Sequence, residues 1–329
     1  MMQLPYVLAA ELTYSCNHRC LFCCCPWENN PVLKDKELSA KEWKHIFETV
    51  TRYGVKQVTF TGGEALLRDD IFQILEYAYN TGVTLGLISN GKNLDEDFLR
   101  RIQKYNLLLS ISVPGIETFA QTTGHDNVDH VLTLFDTCQS LGIRTVANIA
   151  VTKINFKELY ENIALPILHG ATYVLLNRFL PGGRGLDNTR YLLSIDEINE
   201  MFDIAEEILC RVGIYGHVGT ELPYCIIKNP EKYKHLNIAS FCAAAKSFFV
   251  IDPSGYIKVC NHSPMRICKW TEIDNLESNE YWKRFATQDY IPEMCRNCEY
   301  LYTKCDGGCR EAAHVYFGDI ADKDPCFGK

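Results

Sequence analysis

The sequence has no export signal and no membrane span. Its first residues, MMQLPYVLAAELTY, carry no basic segment ahead of the apolar run, which excludes a secretory leader of the usual kind. No apolar stretch reaches the roughly 20 residues that cross a bilayer. Surplus positive charge is missing too: 33 Lys and Arg face 41 Asp and Glu, a formal net charge of −8. Such a chain has no electrostatic attraction for nucleic acid or for an anionic membrane surface. Neither internal repeats nor low-complexity segments occur. These absences point to a cytoplasmic, soluble protein. Its 329 residues, 47% of them hydrophobic, suffice for one large domain and a small one.

Cysteine is the residue in excess, with 16 copies. A disulfide scaffold would be short and exported, and this chain is neither, so clustered thiols in a reducing compartment point to metal. Cys138 and Cys210 stand alone within helix-like stretches and are expected to be small buried hydrophobes. The stretch CNHRCLFCCCPWENN, residues 16–30, is different. Cys16, Cys20 and Cys23 are spaced C-x3-C-x2-C. Starting at Cys20 instead puts the third position on Trp27, so one phase alone completes the pattern. Three thiolates on a tight loop hold three irons of a [4Fe–4S] cube and leave the fourth open to a substrate or cosubstrate. Structural zinc, with His18 as fourth ligand, is the alternative, although the spacing suits it poorly.

Up to about residue 180, short β-rich runs alternate with amphipathic segments. VLAAELTY (7–14) reads as a strand. SAKEWKHIFETVTRYG (39–54) reads as a helix capped by Ser39, with Glu42 completing a capping box. Strand, turn and helix then recur through KQVTFTGG, VTLGLISNG, LLLSISVPG, RTVANIAV and TYVLLNRF, and Gly82 is a candidate terminator of its helix. Six β/α units in a row imply a parallel sheet with right-handed crossovers, either an open sheet or a partial barrel. The turns after the strands form the working face, so Cys16, Gly62–Gly63, Asn90–Gly91 and Pro114–Gly115 are expected at one end. LPGGRG (180–185) reads as a flexible loop, and SIDEINEMFDIAEEILCRVG as one long helix. Residues 242–329 carry a hairpin signal, SFFVIDPSGYIKVC, and eight cysteines. The expected division is a barrel over 1–190, a connecting helix and linker over 191–241, and a small cysteine-rich domain over 242–329.

The C-x3-C-x2-C loop after the first strand resembles that of the radical S-adenosylmethionine (SAM) enzymes. TGGEAL (61–66) matches that family's Gly-Gly-Glu motif, and ISNG (88–91) resembles its ribose-side segment. The resemblance implies a partial (β/α)6 TIM-like barrel over about residues 5–180. It also implies that Cys16, Cys20 and Cys23 ligate the cluster. Gly62, Gly63, Glu64, Ser89, Asn90 and Ser112 would contact SAM, with Glu64 taking the methionine ammonium. The chemistry implied is one-electron cleavage of SAM to a 5′-deoxyadenosyl radical that removes a hydrogen atom from an unactivated C–H bond.

The later cysteines resemble a SPASM domain, which holds two auxiliary [4Fe–4S] clusters. Carried over from that pattern, Cys295, Cys298, Cys305 and Cys326 would ligate the outer cluster. Cys242, Cys260 and Cys309 would ligate the inner one. The x6 spacing between Cys298 and Cys305, where five is commoner, departs slightly. A fourth inner cysteine would fall on Phe248, so Cys268, Cys225 or an open iron is left for that role. Cys24 and Cys25 have no place in the scheme and are either packing residues or a hydrogen-atom donor near the radical site. Arg178 and Arg184, in RFLPGGRG, are candidates to pair with a substrate or SAM carboxylate.

The function implied is that of a radical SAM/SPASM oxidoreductase acting on a ribosomally made precursor peptide to form a crosslink, thioether or similar product. It would take electrons from an external one-electron donor. Only 15 residues precede Cys16, so a separate leader-peptide-binding protein is a possible partner. The runner-up is an epimerase or dehydrogenase acting on a peptide or a small molecule such as a sugar. The non-enzyme alternative is an iron–sulfur electron carrier, against which the Gly-Gly-Glu motif argues.

Overall fold

The computed structural model describes residues 3–328. One sheet of ten strands organises them: β1 Val7–Glu11, β2 Gln57–Thr61, β3 Thr84–Ser89, β4 Leu108–Ser112, β5 Thr145–Val151, β6 Tyr173–Arg178, β7 Gly216–Val218, β8 Leu236–Ile238, β9 Phe248–Ile251 and β10 Ile257–Lys258. Their spatial order is β10-β9-β1-β2-β3-β4-β5-β6-β7-β8. All neighbours run parallel except β9 and β10, which form the expected hairpin. The first six strands alternate with helices α1 Ala40–Arg52, α2 Ile71–Tyr79, α3 Glu96–Ile102, α4 Phe119–Thr123, α5 Val128–Ser140 and α6 Leu159–Leu168. This is a partial (β/α)6 barrel. The long helix is α7 Ile195–Val212, and α8 Glu280–Ala286 and α9 Arg310–Phe317 lie in the cysteine-rich segment. Among the described residues no helix is long and apolar enough to cross a membrane.

Local sequence explains the main elements. In α1 the capping box forms as expected: the Ser39 side chain accepts from the Glu42 amide, and Glu42 accepts from the Ser39 amide. Trp43, Ile46, Phe47 and Val50 recur at helical spacing and are buried against the sheet. The same box, Ser194 with Glu197, starts α7, and Gly213 at φ +72° ends it. Helix α2 stops at Tyr79, three residues before Gly82, with Asn80 as its cap.

Two features extend the sheet past the six units. Residues 191–241 contribute β7 and β8 beyond β6. At the other edge β9 lies parallel to β1, in register Val7↔Phe248 through Ala10↔Ile251. The core follows the sheet: Phe249, Trp282 and Phe285 share one apolar cluster with Leu8, Trp43 and Phe60. Cys138 is fully buried, as expected of a packing residue, but Cys210 is exposed on α7, whose apolar stripe it misses.

LPGGRG is not a free loop. Residues 183–191 wind as 3-10 turns, and Pro181, Gly182 and Gly183 are buried against the early cysteines. Gly183 sits at φ +46°, where a Cβ would come within 2.3 Å of the Cys25 carbonyl oxygen. Only glycine lets the two backbones approach so closely.

Candidate active site

Cys16 lies just past β1, in a loop that hydrogen bonds tie to two other segments, around residues 122–123 and 184–188. The Arg19 and Leu21 amides donate to the Thr123 and Thr122 carbonyls at 2.8 and 2.9 Å. The Gly185 amide donates to the Cys23 carbonyl at 3.1 Å, and Arg184 Nη1 to the Cys20 carbonyl at 2.9 Å. Arg184 also pairs with Glu28, and Asn188 Nδ2 reaches the Leu21 carbonyl at 3.1 Å. Arg184 therefore serves the loop's backbone and an internal carboxylate.

The Gly-Gly-Glu turn is built against the same loop. The Gly63 and Glu64 amides donate to the Thr13 and Ser15 carbonyls, each at 2.8 Å. A Cβ on Gly63 would lie 2.2 Å from the Ser15 oxygen, and one on Gly62 2.7 Å from the Thr13 oxygen. The first demand on both glycines is close packing of this turn on the approach to Cys16. Glu64, 2% exposed, accepts from Ser89 Oγ (3.0 Å), the Asn90 amide (2.8 Å) and the Leu66 amide (3.3 Å). Burial raises its carboxyl against these three donors. The two segments singled out by resemblance, TGGE and ISNG, thus meet at one carboxylate. Asn90 Nδ2 continues to Asn17 Oδ1 at 2.7 Å and lies 4.0 Å from Cys16 Sγ.

The loop fits a thiolate-held cluster. Cys16 is exposed and its Sγ accepts the His18 amide at 3.4 Å. A hydrogen bond with Cys25 lowers the Cys23 thiol, whereas burial raises Cys20. His18 is buried, stacked on His125 at 5.1 Å, and its Nε2 has no protein partner. Burial, with His125 and Lys92 near by, lowers its imidazole to about 4. Among the described residues no three Cys, His, Asp or Glu side chains converge closely enough for a single metal ion. A cube takes each thiol on a different iron, so its ligands need not converge on one point.

A cavity of about 470 Å³ lies inside the barrel next to this loop. Cys24, Cys25, Gly62 and Ser112 line it together with Cys242, Cys260 and Cys309. Those three later thiols are buried and sense one another electrostatically, and burial pushes each well up, Cys309 to about 12. Phe248, at the position of the missing fourth cysteine, lines the same cavity. Neither spare thiol joins them. Cys268 is partly exposed, with Sγ 3.9 Å from the Glu272 carbonyl, and Cys225 sits with the outer cysteines.

Two aspartates tie the inner set to the outer one. Asp306, next to Cys305, accepts the Cys242 amide at 2.9 and 3.0 Å. Asp324, two residues before Cys326, accepts the Cys309 and Cys326 amides, both at 2.9 Å. Arg178 closes the arrangement: Nη1 and Nη2 reach Asp324 at 2.9 and 2.7 Å, and Nη2 the Glu221 carbonyl at 2.7 Å. Arg178 is thus engaged by this chain's own carboxylate. Cys305 Sγ accepts the Tyr224 and Gly307 amides, each at 3.3 Å, a setting that suits a thiolate.

Sequence reasoning missed the cavity's buried charges. Glu11 pairs with Lys258 at 2.8 Å, both nearly inaccessible, and accepts from Asn261 at 2.9 Å. Glu221, Glu311 and His262 also line the chamber. The signal for Glu11 was present, a carboxylate in the otherwise apolar run VLAAEL.

Residues 10–165 match the protein-family model described as the Radical SAM superfamily. A protein named PqqA peptide cyclase, from Bradyrhizobium diazoefficiens, is 25% identical over 98% of this chain and 86% of its own length. Streptococcus suis SuiB bound to the precursor peptide SuiA superposes with a TM-score of 0.78 at 15% identity, over 98% of this chain and 75% of that one. anSMEcpe with bound AdoMet gives 0.74 at 15% identity, over 98% and 94%. The cysteine loop, the Gly-Gly-Glu turn and the Ser89–Asn90 node all fall inside the matched region, and the fold agrees with both solved structures: residues 10–165 of this chain form a radical SAM domain.

Proposed function

We propose that the protein is a radical SAM oxidoreductase that modifies a ribosomally made precursor peptide. The observation that carries this reading is the chamber, which is lined both by Cys24, Cys25 and Gly62 of the barrel and by Cys242, Cys260 and Cys309. The relatives' names support the peptide: one is a PqqA peptide cyclase, and SuiB holds a precursor peptide in its crystal structure.

Cys16, Cys20 and Cys23 would hold the SAM-binding [4Fe–4S] cluster. Cys242, Cys260 and Cys309 would hold an inner auxiliary cluster, and Cys295, Cys298, Cys305 and Cys326 an outer one. When bound, the reduced SAM cluster supplies the electron that cleaves SAM to the 5′-deoxyadenosyl radical. The chain's own part is placement. Glu64 keeps a free lone pair on Oε2 for an ammonium, and its bonds to Ser89 and Asn90 fix where that lone pair points. Ser112, at the end of β4, offers a hydroxyl to the cavity. Val7, Ala9, Ile88, Leu175 and Phe179 give the chamber apolar walls that exclude water from a radical intermediate. An external one-electron donor and a separate leader-binding protein complete the system, in a cytoplasm that keeps the thiols reduced.

The test is anaerobic turnover of reconstituted, reduced enzyme with SAM and the small peptides encoded beside it. The expected result is 5′-deoxyadenosine together with a peptide lacking two hydrogen atoms, both abolished by Cys16→Ala. Turnover on small molecules with every peptide unchanged overturns the reading. The cavity-lining thiols Cys24 and Cys25 favour a second reading, epimerisation with a thiol as hydrogen-atom donor. Its signature is solvent deuterium in a peptide of otherwise unchanged composition, lost in Cys24→Ala or Cys25→Ala.

A further inference from the structure

The outer auxiliary site has more thiols than a cube needs. A [4Fe–4S] cluster takes four cysteines. Cys295, Cys298, Cys305 and Cys326 fill that number, yet Cys225 stands among them. Cys225 lies in a single 3-10 turn, Tyr224–Ile226, far from the others in sequence.

Several contacts dock that turn on the outer loop. The Tyr224 amide donates to Cys305 Sγ at 3.3 Å. The Tyr224 ring packs edge-on against Tyr300, with centroids 5.0 Å apart. Lys304 Nζ lies 3.3 Å from the Tyr224 hydroxyl. Pro223 packs so closely on Gly308 that a Cβ there would come within 2.8 Å of the proline ring. The electrostatics agree with this placement. Partial desolvation raises the thiol of Cys225, a residue exposed overall, with Cys305 and Cys298 adding to it, and the charge of Cys225 in turn helps to raise Cys295 and Cys326. The turn that carries Cys225 is therefore docked on the Cys305 loop, and Cys225 is near enough to Cys295, Cys298, Cys305 and Cys326 to interact with each electrostatically.

Cys326 is held differently. It flanks the second apolar cluster, next to Phe327, and its amide is bound to Asp324. Burial and Asp324 both raise its thiol. Cys225 is exposed and carries no such carboxylate two residues away.

We propose that Cys225 is an alternative fourth ligand of the outer cluster, interchangeable with Cys326 on the iron that Cys295, Cys298 and Cys305 leave free. The site then has five thiols for four irons, and the fourth ligand is exchangeable. Exchange moves one proton: the incoming thiol gives its proton to solvent as it binds, and the departing thiolate takes one up, with no change in the cluster's charge or oxidation state.

The inference rests on the reading of Cys295, Cys298 and Cys305 as outer ligands, and the experiment separates the two. Iron, acid-labile sulfide and the electron paramagnetic resonance spectrum of the reduced clusters are measured on full-length, anaerobically reconstituted protein. The variants are Cys225→Ser, Cys326→Ser, the double variant, and Cys295→Ser/Cys298→Ser as control. The control is expected to lose about four irons; if it loses none, the outer-cluster reading fails and the inference with it. Both single variants are expected to keep the full iron content, with a shifted outer-cluster spectrum in Cys326→Ser. The double variant is expected to lose the same four irons as the control while the N-terminal cluster remains, which also shows that the protein has folded. Loss of the outer irons in either single variant, or their retention in the double variant, overturns interchange.

Discussion

Asp324→Asn isolates the contact that joins the barrel to both sets of later cysteines. Asp324 is fully buried and Arg178 is 3% exposed. Burial alone would raise the Asp324 carboxyl, but the Arg178 guanidinium, with the amide and thiol of Cys326, overcomes it and holds it below the usual range. The asparagine keeps the shape and removes the charge. The guanidinium is then buried without a counter-charge, and the new NH2 group faces Arg178 or a cysteine amide, donor against donor. Breaking one side of a buried pair costs about 3–5 kcal/mol, a fifth or more of the roughly 5–15 kcal/mol that holds a domain folded. Urea unfolding of the metal-free protein is the assay, with Asp324→Leu, Arg178→Met and Arg178→Met/Asp324→Leu making up a cycle. The double variant is expected to recover most of the loss, because its cavity is apolar on both sides. The pH dependence has a definite sign. A depressed carboxyl contributes stability above its unfolded value, near 3.9, and loses it as pH falls through the lower folded value. The gap between wild type and Asp324→Asn is therefore expected to narrow below about pH 4. A loss under about 1 kcal/mol, or a double variant as weak as the two singles summed, would refute the account of this pair.

Gly63→Ala puts a methyl 2.2 Å from a backbone oxygen that cannot rotate away. The loop at Ser15 must move, and the variant is expected to reconstitute about four irons fewer than wild type; normal iron content would contradict the packing role. Arg184→Ala removes the bonds to the Cys20 carbonyl and Glu28, about 1.5–3 kcal/mol of charge-assisted bonding. Iron release from the N-terminal loop to a chelator is expected to speed up by roughly tenfold or more, and Arg184→Lys to restore only part of it, because an ammonium lacks the planar fork. His18 and His262 are both lowered to about 4, chiefly by burial. The unfolded chain takes up these protons first, so stability is expected to fall as pH drops from 6.5 toward 4, by up to about 1.4 kcal/mol per pH unit for each histidine. His18→Gln should flatten that slope in acid unfolding curves, and an unchanged slope would show that His18 is not held neutral.

The sheet was legible because each β/α unit carries its own signal, and α1 and α7 announce themselves through Ser39–Glu42 and Ser194–Glu197. Strands β7 and β8 were not. They are three residues each, too short to show alternation, and they exist because β6 offers an edge. The parallel partnership of β1 with β9 joins residues some 240 positions apart in sequence, and no local pattern encodes it. The site divides the same way. The spacing of Cys16, Cys20 and Cys23 is local and readable. The partners of Arg178 and Arg184 are not, because a free guanidinium and one neutralised by a distant carboxylate look identical in sequence. The glycines of LPGGRG suggested a flexible turn, whereas the chain's own backbone fills the space beside Gly183, and the Ser15 backbone packs just as closely on Gly63.

The buried pair Glu11–Lys258 explains how the two ends of the chain find the chamber together. Side chains alternate along a strand, so a one-residue slip turns every inward group outward. Glu11 ends β1, and Lys258 is on β10, reached through β9 in the pairing Lys258↔Val250 and Ala10↔Ile251. In this register the ammonium and the carboxylate meet at 2.8 Å away from water. After a slip, either charge would be buried without its partner, at a cost of several kcal/mol. Cys260 follows Lys258 by two residues, just past the end of β10, and lines the cavity with Cys242 and Cys309. The register that satisfies the ion pair thus sets where the chain leaves β10 on its way to Cys260. A pair that adds little net stability by itself still fixes where the inner thiols stand.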